Sequence, residues 1–324
     1  MNVKNLFNKK AVIDFLSTYR AVIILLFMCI IASMLSPNFL TVGNLFNVIR
    51  QVSIVAIVAC GMTFVILTGG IDLSVGSVIG LAGAILAGVI IATENVMLGL
   101  LAALAVGIVC GVINGFFVSK CGIPAFIATL GLMTLYRGLV MIYTGGAPIS
   151  VRVESFNFIG RGSILGIPVP ILLLAFIYIC SYFVLQHTQY GRNVYALGGN
   201  REATRLSGIS IVKTEWIAYI ISGLLSAVAA IVLTARLGSA QSLSGQGYEL
   251  DAIAAVILGG TSLSGGSGFV VPTVAGALIM GIIDNILTLL NVNPHMTIVV
   301  KGIVILLAVL ADKKVKELSQ KTVS

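Results

Sequence analysis

The sequence predicts an all-α integral membrane protein of about ten transmembrane helices, on three observations. Hydrophobic residues make up 58% of the 324 residues, charged residues only 9%, and mean hydropathy is +1.11. A soluble domain carries roughly 25% charged residues. Apolar stretches of spanning or near-spanning length recur along the whole chain. Lysine and arginine, finally, concentrate in alternate connections.

Taken in order, Lys4, Lys9, Lys10 and Arg20 precede a first apolar run at 21–35. No small-residue cleavage site follows it, so it reads as a retained span and not a signal peptide. Further runs fall at 47–67, 75–92, 97–118, 124–144, 168–185, 214–235, 250–260, 269–290 and 296–311. Ten runs put both termini on one side. With the termini cytoplasmic, thirteen of the nineteen basic residues lie inside, four outside (Arg50, Arg152, Arg161, Arg236) and two, Arg137 and Lys301, within spans. That asymmetry obeys the positive-inside rule. The net charge of +8 is therefore topology and anionic-lipid contact, not nucleic-acid binding. Residues 1–312 form one membrane domain and 313–324 a basic cytoplasmic tail.

Several classes are excluded. The five cysteines lie in or beside apolar segments without paired spacing, and His187 and His295 stand alone, so neither metal nor disulfide chemistry is indicated. No Gly-Lys dipeptide occurs, hence no phosphate loop and no ATP hydrolysis by this chain. Gly99, Ala103, Gly107, Gly111 and Gly115 recur every four residues, as do Thr273, Ala277 and Gly281, which marks close helix contacts.

An internal echo marks the working part. Val65–Ser77, VILTGGIDLSVGS, resembles Val256–Ser267, VILGGTSLSGGS; with a one-residue gap, Gly69 and Gly70 match Gly259 and Gly260, and Asp72 matches Ser262. Each copy is the tip of a helical hairpin dipping toward the cytoplasm. Paired glycine interruptions of this kind either mark a transport pathway or are a pair of ordinary cytoplasmic turns. The run 250–260 rises about 16 Å at 1.5 Å per residue, so its hairpin is either re-entrant or a full span. Asp72 either caps the helix beginning near Leu73 or, if deep, requires a partner, since a carboxylate costs about 2.5–3.5 kcal/mol in the membrane. Arg137, Asp284 and Lys301 lie at similar depth. Asp284 pairs with Lys301 or Arg137, or the basic chains snorkel.

Between two apolar runs, residues 186–213 form a polar, basic island. Asn200 is placed as an N-cap and Gly208 as the glycine past a C-terminus, bracketing a short helix over 201–207. Ala203 and Leu206 share one face of it; Arg201, Glu202 and Arg205 keep the others solvated. The island is either a topological anchor or a docking element.

Five segments together carry a resemblance over about Phe15 to Asp312: SPNFLTVGNLFNV (36–48), GMTFVILTGGIDLSVGS (61–77), PAFIATLGLMTLYRG (124–138), GRNVYALGGNREATRLSGI (191–209) and GYELDAIAAVILGGTSLSGGSG (247–268). The chain closely resembles the permease subunits of bacterial ABC importers for ribose and related monosaccharides. That resemblance implies an all-helical bundle like the vitamin B12-type importer permeases, working as a dimer in the bacterial inner membrane. It implies cytoplasmic ATPase subunits beneath and a periplasmic or lipid-anchored sugar-binding protein above. Asp284 departs from the neutral amide expected in relatives, and the echo joins hairpins of the same orientation, whereas the family's halves are inverted.

On this reading Gly191, Arg192, Asn200, Glu202, Ala203, Arg205, Leu206 and Gly208 form the ATPase-coupling loop. Thr68, Gly69, Gly70, Asp72, Ser74, Ser77, Asn114, Thr129, Ser262 and Ser264 are the pathway candidates, because neutral hydroxyls and amides exchange hydrogen bonds with a polyol without trapping charge. Arg152, Arg161, Arg236 and Glu249 are placed to meet the binding protein. No cofactor is expected. Rival readings are a permease for a nucleoside or branched amino acid, and an ion-coupled secondary transporter, for which only Asp72 and Asp284 offer carboxylates.

Overall fold

The computed structural model describes the backbone of residues 9–323 and the side chains of residues 21–310. Thirteen α-helices follow one another: α1 (Lys9–Leu35), α2 (Val42–Leu67), α3 (Val75–Thr93), α4 (Val96–Gly115), α5 (Ala125–Thr144), α6 (Glu154–Arg161), α7 (Val169–His187), α8 (Gln189–Gly199), α9 (Arg201–Leu206), α10 (Ile211–Leu237), α11 (Tyr248–Leu258), α12 (Thr273–Leu289) and α13 (Pro294–Val323). One π turn, Phe116–Lys120, extends α4. The only strands among the described residues are two-residue pairs, such as Ile149–Ser150 against Ser239–Ala240.

Each of the ten apolar runs falls on a helix, but they are not equivalent. Among the described residues, six helices are long and apolar enough to cross a membrane: α2, α3, α4 with its π turn, α5, α7 and α10. Ala21–Leu35, α12 and Pro294–Leu310 are shorter apolar helices. The eleven residues of α11 rise about 16 Å, half the hydrocarbon thickness. The basic tail at 313–324 belongs to residues whose side chains lie outside the description; the backbone there continues α13 through Val323.

The bundle is centred on α2 and α10. Every residue of α2 from Val52 to Leu67 is buried. The small-residue ladder of α4 packs on α10: a Cβ at Gly107 would lie 2.4 Å from the Gly223 carbonyl oxygen, so no side chain fits between the two backbones. Close approach of this kind replaces hydrophobic burial as the force between helices in lipid. Farther along, α2 and α12 are joined by a reciprocal amide pair, Asn44 to Asn285, at 2.8 and 3.0 Å.

Candidate translocation core and coupling surface

The first tip begins where α2 stops. Gly69 adopts φ 85°, its N–H donates to the Ile66 carbonyl at 2.9 Å, and the Gly70 N–H donates to Val65 at 3.1 Å. This is the Schellman ending of a helix. The second tip repeats it: Gly260 has φ 96°, its N–H reaches Ile257 at 2.9 Å, and the Thr261 N–H reaches Val256 at 3.1 Å. The structure therefore matches Gly69 to Gly260, not to Gly259, and the extra residue of the first tip is Ile71. After it the two tips coincide again. Asp72 Oδ1 accepts the Ser74 N–H at 3.0 Å, and Ser262 Oγ accepts the Ser264 N–H at 3.2 Å, the same side-chain-closed turn in carboxylate and hydroxyl form. From there α3 starts at once, whereas the second tip runs without helix to Thr273.

The two tips touch. The Gly266 N–H donates to the Leu67 carbonyl at 3.0 Å. Into this junction α8 inserts its C-terminal end: a Cβ at Gly198 would lie 1.9 Å from the Leu67 oxygen and 2.3 Å from the Gly266 nitrogen. The Tyr195 hydroxyl donates to the Gly268 carbonyl at 2.9 Å, and burial raises this phenol's pKa.

Asp72 is 1% exposed, and it is neither shallow nor paired with a cation. Besides the Ser74 N–H it accepts from the Ser74 hydroxyl at 2.7 Å, Ser222 at 2.8 Å and Asn114 Nδ2 at 3.2 Å. Asn114 also donates to Ser74 Oγ at 2.6 Å and accepts from the Tyr136 hydroxyl at 3.0 Å. Ser222 lies eleven residues into α10, about 16 Å along its axis, so this node sits deep in the bundle. Four donors satisfy the carboxylate where no ion pair does.

Most of the residues expected along the pathway lie in or beside this node. Ser74, Ser77, Asn114 and Thr129 are all fully buried. Their donors are used inside the protein; Ser77 donates to Ser74 O at 2.7 Å and Thr129 to Ala125 O at 2.8 Å. In this conformation they and Asp72 form a closed polar core rather than an open wall. Ser262 is buried as well, whereas Ser264 is exposed. Thr68, Gly69 and Gly70 do border a cavity of about 350 Å³, which the Arg201–Glu215 ion pair closes on another side.

In the polar island, Asn200 Oδ1 accepts the Ala203 N–H at 2.9 Å and Gly208 has φ 77°. The bracketed helix ends at Leu206, one residue earlier than expected. Its small apolar surface is unpartnered: Ala203 is exposed, and Leu206 is 76% exposed. Arg192, Glu202 and Arg205 are exposed too, and the Glu202 hydrogen bond raises the Arg205 pKa. Gly191, by contrast, is buried against the Leu185 carbonyl. The sequence reading missed α8, whose Thr188 N-cap accepts the Gly191 N–H at 3.2 Å. Three glycines in eleven residues disguised that helix, although the Thr188 cap was visible.

On the opposite end, Arg152 and Arg161 are exposed on and beside α6. Arg161 Nε donates to the Arg236 carbonyl at 2.7 Å, and Arg50 donates to the Arg161 carbonyl at 3.4 Å. Glu249 does not join this group. It lies half-buried in the first turn of α11, accepting the Gly247 N–H at 3.2 Å, and its carboxylate fills the space a Cβ at Gly76 would need.

The intramembrane charges are also resolved. Lys301 Nζ contacts Asp284 and Asp251, each at 2.8 Å. Arg137 pairs with no carboxylate among the described residues and donates to the Ser242 and Ser244 carbonyls at 3.1 and 3.0 Å. Asp251 had been absorbed into the apolar run 250–260; three charges in three successive apolar segments were the signal for it.

Glycine-broken helices meeting deep in a bundle around neutral polar groups, with a capped helix presented at one end, define a membrane transport permease. The profile of the family described as "Branched-chain amino acid transport system / permease component" matches residues 44–309, and the chain belongs to that family. It is similar to the ribose import permease protein RbsC of Escherichia coli (strain K12), 48% identical over 91% of this chain and 93% of the relative. The same permease of Bacillus subtilis (strain 168) is 48% identical over 90% and 91%. The L-arabinose transport system permease protein AraH of Escherichia coli (strain K12) is 40% identical over 94% and 93%. No solved structure matches the chain.

Proposed function

We infer that this chain is the membrane permease of an ATP-driven importer for ribose or a closely related monosaccharide. The observation that carries the reading is near-full-length identity of 48% to permeases named for ribose in two distant bacteria, against 40% to one named for L-arabinose. Two copies form the pathway in the cytoplasmic membrane, with both termini cytoplasmic and α11 a re-entrant half-span in a vitamin B12-type arrangement. A cytoplasmic ATPase grips the exposed Ala203–Leu206 face, and an outer sugar-binding protein meets Arg152, Arg161 and Arg236.

The contacts support a route of coupling. Movement of α9 passes to α8 through Asn200 and reaches both tips at Gly198 and Tyr195. The same movement reaches α10 through the Arg201–Glu215 pair. Parting of the tips would open the neutral groups around Asp72 to the sugar. A branched amino acid, which the family description favours, is a zwitterion whose charged ends call for charged side chains or helix-end dipoles. The charged residues bordering the tip cavity, Arg201 and Glu215, neutralise each other.

The test is uptake into proteoliposomes holding the permease, its ATPase and its binding protein. ATP-dependent accumulation of labelled ribose, displaced by unlabelled ribose and not by leucine, is expected. Accumulation of leucine with no ribose uptake overturns the assignment.

A further inference from the structure

Two cavities open side by side where α10 begins, and the function proposed above uses neither. One, of about 730 Å³, is bordered by α8 and the start of α10, where Gln189, Asn193 and Thr214 stand among the apolar Tyr190, Ile209 and Ile217. The other, of about 480 Å³, is bordered mainly by apolar side chains of α4 and α10: Val112, Val212, Trp216 and Ile220. Both share Ser210, Lys213 and Ile217. The pair thus shares one border, mainly apolar throughout, with polar side chains confined to the larger chamber and a lysine at the join.

Its charge is one-sided. No carboxylate borders either chamber, and among the described residues Lys213 has no ion-pair partner. Next to it Trp216 is half-buried, its indole N–H already donated to the Val112 carbonyl at 2.8 Å, so only the ring remains for a ligand. Phe116 lies 6.4 Å from that ring, and the Lys120 ammonium 5.7 Å from Phe116. Lysine and tryptophan together at the end of a spanning helix are the residues of a membrane–water interface.

We propose that this double cavity binds an anionic phospholipid from the leaflet on the α8–α9 side. Its phosphate sits at Lys213 among the polar groups, and an acyl chain lies along Trp216, Val212 and Ile220. The amphiphilic shape selects a lipid over a soluble anion, and the lone lysine selects an anionic headgroup over a zwitterionic one. The site borders Ser207 and Gly208, directly behind α9, so its occupant steadies the helix offered to the ATPase.

Trp216 is the sole tryptophan of the chain, which makes the site its own reporter. The purified permease is reconstituted in phosphatidylcholine vesicles, with increasing fractions of brominated phosphatidylglycerol or brominated phosphatidylcholine. Trp216 quenching should show a relative association constant for phosphatidylglycerol about fivefold above that for phosphatidylcholine, the worth of one lysine near an anionic surface. Lys213→Gln should reduce the ratio to near one while the unfolding midpoint stays unchanged. Equal quenching by the two lipids, or selectivity that survives Lys213→Gln, overturns the proposal. Displacement of the brominated lipid by millimolar inorganic phosphate also overturns it, because the site would then be one for a soluble anion.

Discussion

Lys301 holds two carboxylates at once, and its removal has a calculable consequence. Asp251 on α11 is 8% exposed and Asp284 on α12 is 20% exposed, each 2.8 Å from the Lys301 ammonium on α13. Lys301→Met keeps the volume of the stem and deletes the charge, stranding two acids in a region of low dielectric. Breaking a buried pair in this way costs about 3–5 kcal/mol. A chain of this size loses about 2 °C of midpoint per kcal/mol, so unfolding in lipid nanodiscs should fall by about 6–10 °C. The triple variant Asp251→Asn, Asp284→Asn, Lys301→Met removes all three charges together and should recover most of that loss, because neutral replacement of a buried ion cluster is close to neutral in energy. The assay is Trp216 fluorescence during a thermal ramp, compared at one lipid-to-protein ratio. A Lys301→Met midpoint within 2 °C of the parent, on that conversion, or a triple variant as unstable as the single one, would refute the view that this triad fastens α11 to its neighbours.

Three further outcomes follow from the same contacts. Ala203→Glu places a charge on the exposed face of α9 and should leave insertion intact while reducing ATPase retention on co-purification at least tenfold; full retention would exclude α9 as the docking element. Gly198→Leu drives a side chain into the Leu67 carbonyl and should abolish uptake, whereas Ser74→Ala, losing hydrogen bonds worth about 1 kcal/mol each, should reduce it only severalfold; equal tolerance of the two would contradict the wedge assigned to α8. Reversing Arg152 and Arg161 to glutamate should raise the half-saturating concentration of binding protein and flatten its salt dependence, as expected of rim charges, with ATPase assembly unchanged; unaltered docking would leave both as solvated loop residues.

Much of this architecture was legible in the sequence because hydropathy reports the medium directly: all ten apolar runs became helices. The capped helix at 201–206 was readable from Asn200 and Gly208, whose conformational roles are local. Depth was less legible. The length of α11 pointed to a half-span, but nothing local fixes how far the first tip withdraws into the bundle. Asp72 was therefore readable as a shallow cap, while its real partners, Asn114 and Ser222, lie 42 and 150 residues away. The same limit hid Asp251, whose partner Lys301 sits 50 residues away on α13. Burial of the pathway candidates was likewise not legible from residue type, since a serine's chemistry says nothing about whether its hydroxyl is already donated to a carbonyl one turn away.

Motion of the tips is the step on which the transport account depends, and locking them tests it most directly. In a background free of the five native cysteines, Gly69→Cys and Ser264→Cys are combined; a Cβ at Gly69 lies 3.7 Å from the Ser264 carbonyl oxygen, so the two tips are in contact there. Each single variant serves as the control for strain at Gly69. ATP-dependent ribose uptake should stop when the pair is oxidised and return on reduction, with single variants unaffected by either treatment. A fully cross-linked permease that still imports ribose at the parental rate would contradict the account, since sugar would then pass without the tips separating.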